Sequence, residues 1–304
     1  MSYTTATVVI TTKNRRDELR KAITSTLAQT AKLELLVFDD GSTDGTADMV
    51  RKEFPDARVE RGETSLGIIG ARNHAVGLAT HEIVFTIDDD CVFPSRLTVE
   101  QTLQDFDHPR IGAVAIPSMD VLRSTKVNSR APKSEGHYLG SEFLGGVHAI
   151  RKTLFIALGR YRGYFYRQVE EGEFCMRMLD AGYVVRLGRA DLVEHYESPV
   201  RHSPTIFFYQ ARNHILWAWY DVPMPHLPVH LAATTFNTLR DGTRKGYKLA
   251  SLRGVLAGYG GIIHELGQRK PVSIQAYRFF RRMRASGPFQ LDDIEPKLPA
   301  MKFV

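Results

Sequence analysis

The chain has 304 residues and a formal net charge of +6, with 43% hydrophobic and 24% charged residues. This length and composition are those of an ordinary globular protein with one large domain or two modest ones. Two cysteines, Cys91 and Cys175, are too few for a disulfide scaffold and fit a reducing compartment. The sequence predicts neither a secretory leader nor a membrane-spanning helix, and nucleic acid is not an expected partner because no nucleic-acid-binding motif accompanies the positive charge.

The first 90 residues alternate between strand and helix patterns. The short, β-branched apolar runs that predict strands are residues 6–12, 33–40, 57–61 and 81–90. The segments between them that predict helices are residues 15–30, 42–54 and 68–79. In the first helix, Leu19, Ile23 and Leu27 share one face. This alternation predicts a parallel sheet with helices on both faces and ligands beyond the carboxyl ends of its strands.

The later part of the chain is less regular. Its predicted elements are a helix at 95–107, a strand at 111–118, a loop over the site at 125–140, a strand or turn leading into a helix at 142–159, and a helix at 170–183. In the last of these, Phe174 and Met178 face inward and Gly182 ends the helix. We expect a domain at 1–200 and a mainly helical, basic region at 201–304.

The basic region carries a segment that is both cationic and aromatic, residues 267–286. Such a segment is suited to an anionic membrane surface or a phosphorylated substrate, although a solvated helix face explains it equally well. A peripheral membrane contact and a homodimer contact are therefore both expectations for this region.

Two acidic clusters follow predicted strands. Asp39 and Asp40 end the second strand, and Asp88, Asp89 and Asp90 end the fourth. Parallel strands bring their carboxyl ends to one rim, so the two clusters are expected to converge there. Adjacent carboxylates repel one another, and a bound divalent cation would offset that repulsion. Oxygen ligands favour Mg²⁺ or Mn²⁺, although acids in a solvated turn explain either cluster taken alone.

The chain resembles the inverting family-2 glycosyltransferases, which have the GT-A fold and use a nucleotide-diphosphate sugar. The resemblance covers roughly residues 5–220 and depends on the order of the motifs VVITTKNR, FDDGSTDGT, GARNHAV, FTIDDD, GGVHAIRK, EEGEFCMRM and ARN. It implies a Rossmann-like, mixed but mostly parallel central sheet flanked by helices, with a mainly helical C-terminal extension. Two motifs depart from the family pattern: TTKNR replaces Pro-Thr-Tyr-Asn-Arg, and EEGE replaces the usual Glu-Asp pair.

The resemblance implies roles for residues on the donor side. Thr11 and Thr12 would line the nucleotide pocket. Asp39 would accept a hydrogen bond from a uracil or thymine ring, with a plain turn residue before Gly41 as the alternative. Arg72 would lie near the diphosphate or ribose, although an exposed helix arginine is the alternative. Asp88 would face the ribose.

The same resemblance implies a metal site beside the sugar. Asp90 would hold the metal, and Asp89 would support the loop of the nucleotide-sugar site. His195 matches a histidine that serves some relatives as a further metal ligand or phosphate contact, with a core or surface histidine as the alternative. Gly145 and Gly146 would let the backbone approach the sugar or acceptor closely.

The acceptor hydroxyl needs a general base, and the resemblance places it at the start of the helix at 170–183. Glu171 matches that position, and Glu170 remains the alternative because Glu is longer than the usual Asp. Trp217 and Trp219 would form either an acceptor surface or part of an aromatic core. His148 and His202 are weaker candidates for a functional role in the site.

The function that the resemblance implies is inverting transfer from a UDP- or dTDP-linked sugar to a hydroxyl of a glycan, glycolipid or small molecule. The setting would be polysaccharide, glycolipid or glycoconjugate synthesis, in the cytoplasm or at the inner face of the membrane. The alternative is a catalytically inactive module that binds the nucleotide-sugar. A sugar nucleotidyltransferase is disfavoured because no glycine-rich loop follows the first strand, and an oxidoreductase because the Gly-x-Gly-x-x-Gly spacing is missing.

Overall fold

The structure, a computed structural model, describes residues 3–196 and 203–303. The strands in chain order are β1 (Thr5–Thr12), β2 (Lys32–Asp39), β3 (Arg58–Arg61), β4 (Ile83–Asp88), β5 (Cys91–Val92), β6 (Ile111–Ala115), β7 (Ser118–Asp120), β8 (Val127–Asn128), β9 (Tyr138–Gly140), β10 (Val147–Arg151), β11 (Val184–Leu187), β12 (Val193–His195) and β13 (Phe289–Gln290). The helices are α1 (Arg16–Leu27), α2 (Thr46–Glu53), α3 (Gly67–Leu78), α4 (Thr98–Gln104), α5 (Lys152–Ala157), α6 (Glu170–Asp180), α7 (Pro204–Asp221), α8 (Leu227–Arg244), α9 (Lys248–His264), α10 (Ile274–Ser286) and α11 (Leu291–Ile294).

The central sheet is mixed but mostly parallel, as predicted. Within the described residues it has nine strands in the order β13-β9-β11-β6-β10-β4-β1-β2-β3, and seven of them run in the same direction. Strand β1 pairs in parallel with both β2 and β4, which sets Thr12 beside Asp39 and Thr11 beside Asp88. The two acidic clusters therefore share one rim, which confirms the convergence expected from the sequence.

Strand β10 runs against its neighbours β4 and β6. Because it is antiparallel, it begins at the rim where β4 ends, with Val147 opposite Ile87. The backbone N–H of Asp88 donates to the carbonyl of Gly146 at 2.9 Å. The glycines before β10 thus lie against the acidic end of β4.

A small second sheet brings His195 to the same rim. Its strand order is β5-β12-β7-β8, and β12 places His195 directly opposite Cys91. The N–H of Tyr196 donates to the carbonyl of Asp90 at 2.8 Å, which fixes the end of β12 beside the acidic loop.

Three predicted elements are corrected by the structure. Helix α1 ends at Leu27, which is exposed, so only Leu19 and Ile23 of the expected face are buried. Helix α2 begins at Thr46, because the Asp44 carboxylate accepts a hydrogen bond from the Thr46 N–H at 3.1 Å and thereby satisfies a free donor of the first turn. The predicted loop 125–140 contains strands β8 and β9.

The helix after residue 170 matches its prediction. Phe174 and Met178 are fully buried, and Gly182 follows with φ +87°, a conformation that favours glycine. Inside α6, Glu173 is completely buried and accepts hydrogen bonds at 2.6 Å from both Arg162 and Arg177. The ion pairs of Glu173 with these two arginines fix the position of α6 below the rim.

The chain after residue 203 is mainly helical, as expected. It also contributes β13, which pairs with β9 at the edge of the central sheet, and α10, which packs against α6. The division at residue 200 stays a prediction. None of the helices within the described ranges is both long and apolar enough to cross a membrane.

Candidate active site

Two adjoining cavities open at the carboxyl rim of the sheet. The β1 cavity has a volume of about 310 Å³ and is lined by the ends of β1 and β4 and the start of α3. The α6 cavity has a volume of about 670 Å³ and is lined by the residues before β10 and the start of α6. Arg15, Asp88, Asp90 and Arg167 line both cavities, which therefore form one continuous site.

Two of the three adjacent acids are held by an arginine that the sequence analysis did not single out. Arg15 Nη1 lies 3.2 Å from Asp89 Oδ1 and 3.0 Å from Asp90 Oδ2. Thr12 Oγ1 donates to Asp89 Oδ2 at 2.7 Å. Burial nevertheless raises the pKa of Asp89 to about 7, against the opposing effects of Arg15 and Thr12. The hydrogen bond from Thr12 ties Asp89 to the end of β1.

Asp90 and His195 have the geometry of a cation site. His195 Nε2 lies 3.2 Å from Asp90 Oδ1. Burial acts to raise the pKa of Asp90, but His195 and Arg15 outweigh it, and the net pKa lies below the ordinary value. Asp90 is therefore ionised at neutral pH. A separation of about 3 Å suits two neighbouring ligands of an octahedral ion whose bonds are about 2.1 Å long.

Cys91 lies within the same cluster but is a poor ligand for a hard cation. Its Sγ can reach within 4.8 Å of the ligand atoms of Asp90 and His195. Burial raises the pKa of the Cys91 thiol well above its usual range, and the thiol lies 3.8 Å from the Gly146 carbonyl. Thiolates suit softer metals than Mg²⁺ or Mn²⁺. The donor set that fits such an ion is therefore Asp90 with His195.

Arg72 is a buried charge that lines the α6 cavity. It is only 3% exposed, so the alternative of an exposed helix arginine is wrong. Its Nη2 lies 2.5 Å from Asp88 Oδ1, and its Nη1 lies 3.4 Å from Glu170 Oε1. Both carboxylates raise its pKa, although burial opposes them. Arg72 thus fixes the side chains of Asp88 and Glu170 relative to one another.

The two glutamates at the start of α6 differ in their surroundings. Glu170 is buried and paired with Arg72, whereas Glu171 lines the α6 cavity and accepts no hydrogen bond from another side chain within residues 3–196 and 203–303. Burial raises the pKa of both carboxyl groups. For Glu171, burial and the charge of Glu170 together raise the pKa to about 8. A carboxyl group with such a pKa is a stronger base than an ordinary glutamate.

The ARN motif fixes the loop that leads into α6. Asn213 lies in α7, and its Nδ2 donates to the carbonyls of Phe165, Arg167 and Gln168 at 2.6–3.0 Å. Gln168 and Val169 have positive φ angles of 70° and 78°. Asn213 therefore holds an unusual backbone conformation that presents Glu170 and Glu171 to the cavity.

Gly145 and Gly146, which precede β10, leave space that charged side chains of the site occupy. A Cβ on Gly146 would lie 2.0 Å from Asp88 Oδ2. A Cβ on Gly145 would lie 2.2 Å from Glu171 Oε1 and 2.6 Å from Arg72 Nη1. Charged groups of the site thus lie close to both glycines, and the expected approach of a sugar or acceptor to this backbone stays a prediction.

The sequence model of the family described as Glycosyl transferase family 2 matches residues 7–172, more than half of the chain. The chain belongs to glycosyl transferase family 2. A curated relative, the succinoglycan biosynthesis protein ExoU of Rhizobium meliloti (strain 1021), is 36% identical over 94 residues, or 30% of this chain and 28% of that protein. The aligned part thus spans less than a third of the first curated relatives.

Solved structures show that this family-2 member has the GT-A fold. TarS 1-349 of S. aureus in complex with UDP-GlcNAc matches with a TM-score of 0.64 and 18% identity, covering 96% of this chain and 90% of that chain. Mannosyltransferase PcManGT of Pyrobaculum calidifontis, in complex with GDP-Man and Mn²⁺, matches with a TM-score of 0.59 and 20% identity, covering 92% and 79%.

Within this family-2 chain, Asp39 has the position of a turn residue, the alternative left open for it, and the neighbouring Asp40 faces the site instead. Asp39 is 1% exposed, and its Oδ1 accepts a hydrogen bond from the Ser42 N–H at 2.7 Å. Asp39 therefore stabilises a turn and does not line either cavity, whereas Asp40 lines the β1 cavity. The N–H groups of Leu66 and Gly67 donate to Asp40 at 2.6 and 3.1 Å. The adjacent pair of acids was the signal for Asp40, but burial of the first could not be read from it.

The tryptophans of α7 pack as part of the protein interior. Trp217 lies edge-on to Phe280 at 5.9 Å, and Arg284 lies over its ring at 5.7 Å. Trp219 is covered by Arg269 at 4.8 Å. The core interpretation is therefore the one that the structure favours.

Of the two weaker histidine candidates, the structure describes His148. His148 is buried and stacks on Phe143 at 4.0 Å, and burial lowers its pKa to about 3, so it is neutral. His202 lies outside the described residues.

Proposed function

We propose that this chain transfers a sugar from a UDP- or dTDP-linked donor to a hydroxyl acceptor, with inversion at the anomeric carbon. The observation that carries the proposal is the meeting of Asp88, Asp90, Arg72 and Glu171 around one continuous cavity. Family membership supports glycosyl transfer, and the complex of TarS with UDP-GlcNAc supports a nucleotide-sugar as donor.

The nucleotide would occupy the β1 cavity, which Thr11 and Thr12 line. Asp40, rather than Asp39, would accept a hydrogen bond from a pyrimidine ring, because Asp40 lines this cavity. Lys13, Arg15 and Arg167 line the same cavity and supply positive charge for a diphosphate. Asp88, fixed by Arg72, would contact the ribose.

Asp90 and His195 would hold the divalent cation. A pair of one carboxylate and one imidazole suits Mn²⁺ better than Mg²⁺, which strongly prefers oxygen ligands. When bound, the ion would supply positive charge that neutralises the departing diphosphate. Arg15, which pairs with Asp90, would have to share or leave that carboxylate.

Glu171 would be the general base. It faces the α6 cavity, and its raised pKa lets it take the proton of an acceptor hydroxyl as that oxygen attacks the sugar. Glu170 is engaged by Arg72, so its role would be to position the arginine and to raise the basicity of Glu171. Attack from the α6 cavity, opposite the diphosphate in the β1 cavity, would invert the anomeric carbon.

The acceptor class that we propose is a glycan or glycolipid hydroxyl in polysaccharide synthesis. The likeness to a succinoglycan biosynthesis protein supports that class. The α6 cavity, at about 670 Å³, has room for a sugar unit beside the donor.

The test has two stages. Protection against thermal unfolding by UDP-, dTDP- and GDP-sugars, each with and without Mn²⁺, identifies the donor, because a ligand that binds the folded state raises its apparent stability. Turnover is then measured with glycan and glycolipid acceptors, and the product anomer is assigned by NMR. Retention of configuration would contradict the single displacement. Donor binding with no transfer to any acceptor would favour the inactive binding module.

A further inference from the structure

Helix α9 packs against α7 through small residues. A Cβ on Gly254 would lie 2.3 Å from the Phe208 carbonyl oxygen, and one on Gly258 would lie 2.8 Å from that of Arg212. The two helix backbones are therefore in close contact. This small-residue face of α9 is fully used by the protein itself.

The opposite face of α9 is apolar and points to solvent. The side chains that share this exposure are Leu249, Leu252, Leu256, Tyr259 and Ile263. Their spacing of three and four residues places them in one stripe along the helix. Leu256 is 63% and Ile263 is 71% exposed. A surface helix normally buries such a stripe and exposes its small or polar residues, so α9 has the reverse arrangement.

Helix α8 extends this surface. It runs antiparallel to α9, with Thr235 Oγ1 and Tyr259 OH 2.9 Å apart and Gly242 against Ser251. Phe236, in the turn next to Thr235, is 64% exposed. We call the exposed apolar side chains of α8 and α9 the hairpin face: Val229, Phe236, Leu249, Leu252, Leu256, Tyr259 and Ile263. An apolar surface of this kind usually marks an interaction site.

The charge around the hairpin face is mainly positive. Residues 227–270 contain seven lysines and arginines but only two acidic residues. Arg240 lies over the Phe236 ring at 5.7 Å, and Arg253 is one turn from both Leu249 and Leu256 on α9. Cationic side chains that flank an apolar stripe are typical of helices that lie in the interface of an anionic membrane.

Both acidic residues of the hairpin are already engaged. Asp241 pairs with Arg244 at 3.1 Å and Lys245 at 3.0 Å, and Glu265 accepts a hydrogen bond from Tyr220 OH at 2.8 Å. A second copy of this chain on the same face would therefore place cations against cations. Anionic lipid headgroups complement this charge, and the exposed leucines can enter the acyl boundary beneath them.

We propose that the hairpin face docks on an anionic lipid bilayer surface, with α8 and α9 lying in the plane of the membrane. The proposal is independent of the sugar chemistry at the rim. It also moves the expected lipid contact away from residues 267–286, because Tyr277 and Phe280 of that segment are buried and unavailable to lipid.

The test uses the full chain and two kinds of vesicle, phosphatidylcholine alone and phosphatidylcholine mixed with phosphatidylglycerol. We expect co-sedimentation with the mixed vesicles, weakened about tenfold or more when the anionic lipid is omitted or the salt is raised. Replacing Leu256→Glu and Ile263→Glu together should lower binding to the mixed vesicles by about tenfold or more. Leu122→Glu, at a side chain that is 59% exposed elsewhere, is the matched control and should bind as the unmodified chain does.

Unchanged thermal midpoints would show that both variants fold. Failure of the chain to bind mixed vesicles, or undiminished binding by the double variant, would overturn the proposal. Light scattering of the chain without lipid tests the other occupant, a second copy of this chain. A dimer that the double variant converts to a monomer would identify a second copy on the hairpin face. That result would also overturn the proposal.

Discussion

Replacing Glu171→Gln tests the assignment of the general base most directly. Gln keeps the shape of the side chain but cannot accept the acceptor's proton. We expect the transfer rate to fall by about 10²- to 10⁴-fold, which corresponds to about 3–5 kcal/mol of activation free energy. Donor affinity should stay within a few-fold, because Glu171 lies in the α6 cavity and does not line the β1 cavity.

The raised pKa of Glu171 adds a pH signature. With a pKa of about 8, only about a tenth of this carboxyl is ionised at pH 7 in the free protein. The value of kcat/KM should therefore rise about tenfold between pH 7 and pH 9 and level off above the pKa. The assay is initial-rate release of nucleoside diphosphate in the presence of acceptor, across that pH range.

Stability supplies a readout that is independent of turnover. Folding raises the pKa of Glu171 above the ordinary glutamate value, so ionising it lowers stability progressively as the pH rises from about 4 to about 8. The Gln variant lacks that loss, and its thermal midpoint at pH 8 should equal or exceed that of the unmodified chain.

The matched control is Glu142→Gln, a glutamate that lines the same cavity and pairs with Arg284 at 2.9 Å. Its transfer rate should stay within about tenfold of the unmodified rate, since it is not the proposed proton acceptor. A Glu171→Gln variant as active as this control, or a rate that does not change with pH, would refute the assignment.

Three further predictions concern the surroundings of the base. Asp90→Asn should weaken the Mn²⁺ dependence of donor binding by about tenfold or more in calorimetric titrations, and unaltered Mn²⁺ affinity would contradict its role as a ligand. Gly146→Ala should lower transfer by about tenfold or more without unfolding the protein, because its Cβ would lie 2.0 Å from Asp88 Oδ2; Gly260→Ala, with no atom within 4 Å of the added Cβ, is the control and should keep full activity. Glu173→Gln should lower the free energy of unfolding by about 3–5 kcal/mol in urea titrations, because it breaks a buried charge cluster; a loss below about 1 kcal/mol would show that the cluster is not stabilising.

Sequence patterns predicted the repeated alternation of strands and helices in the first 90 residues. Short β-branched runs fixed the identity of β1, β2 and β4, and the parallel arrangement then brought Asp40 and Asp88 to one rim. Boundaries were less predictable, because they depend on single hydrogen bonds: Asp44 sets the start of α2, and no sequence pattern distinguishes it from other acids nearby.

The site could be predicted as a set of residues but not as a set of contacts. Glu171 and Asp90 were predicted from motifs. Arg15 is the last residue of the motif VVITTKNR, but its contact with Asp89 and Asp90 was not predicted, because it joins residues that are about 75 positions apart. Asp39 and Asp40 are neighbours in sequence but bind different partners. Asp39 accepts from the Ser42 N–H, and Asp40 accepts from the N–H groups of Leu66 and Gly67, contacts that no sequence pattern shows.

The reversed strand β10 has a consequence for how such a site can diversify. It begins at the rim where β4 ends, so the residues just before β10 lie directly against the acidic end of β4. Under the proposed function, substitutions after β10 would reshape the α6 cavity for a different acceptor while β1 and β4, which line the β1 cavity, keep their register. One fold could then serve many hydroxyl acceptors with the same residues for the donor.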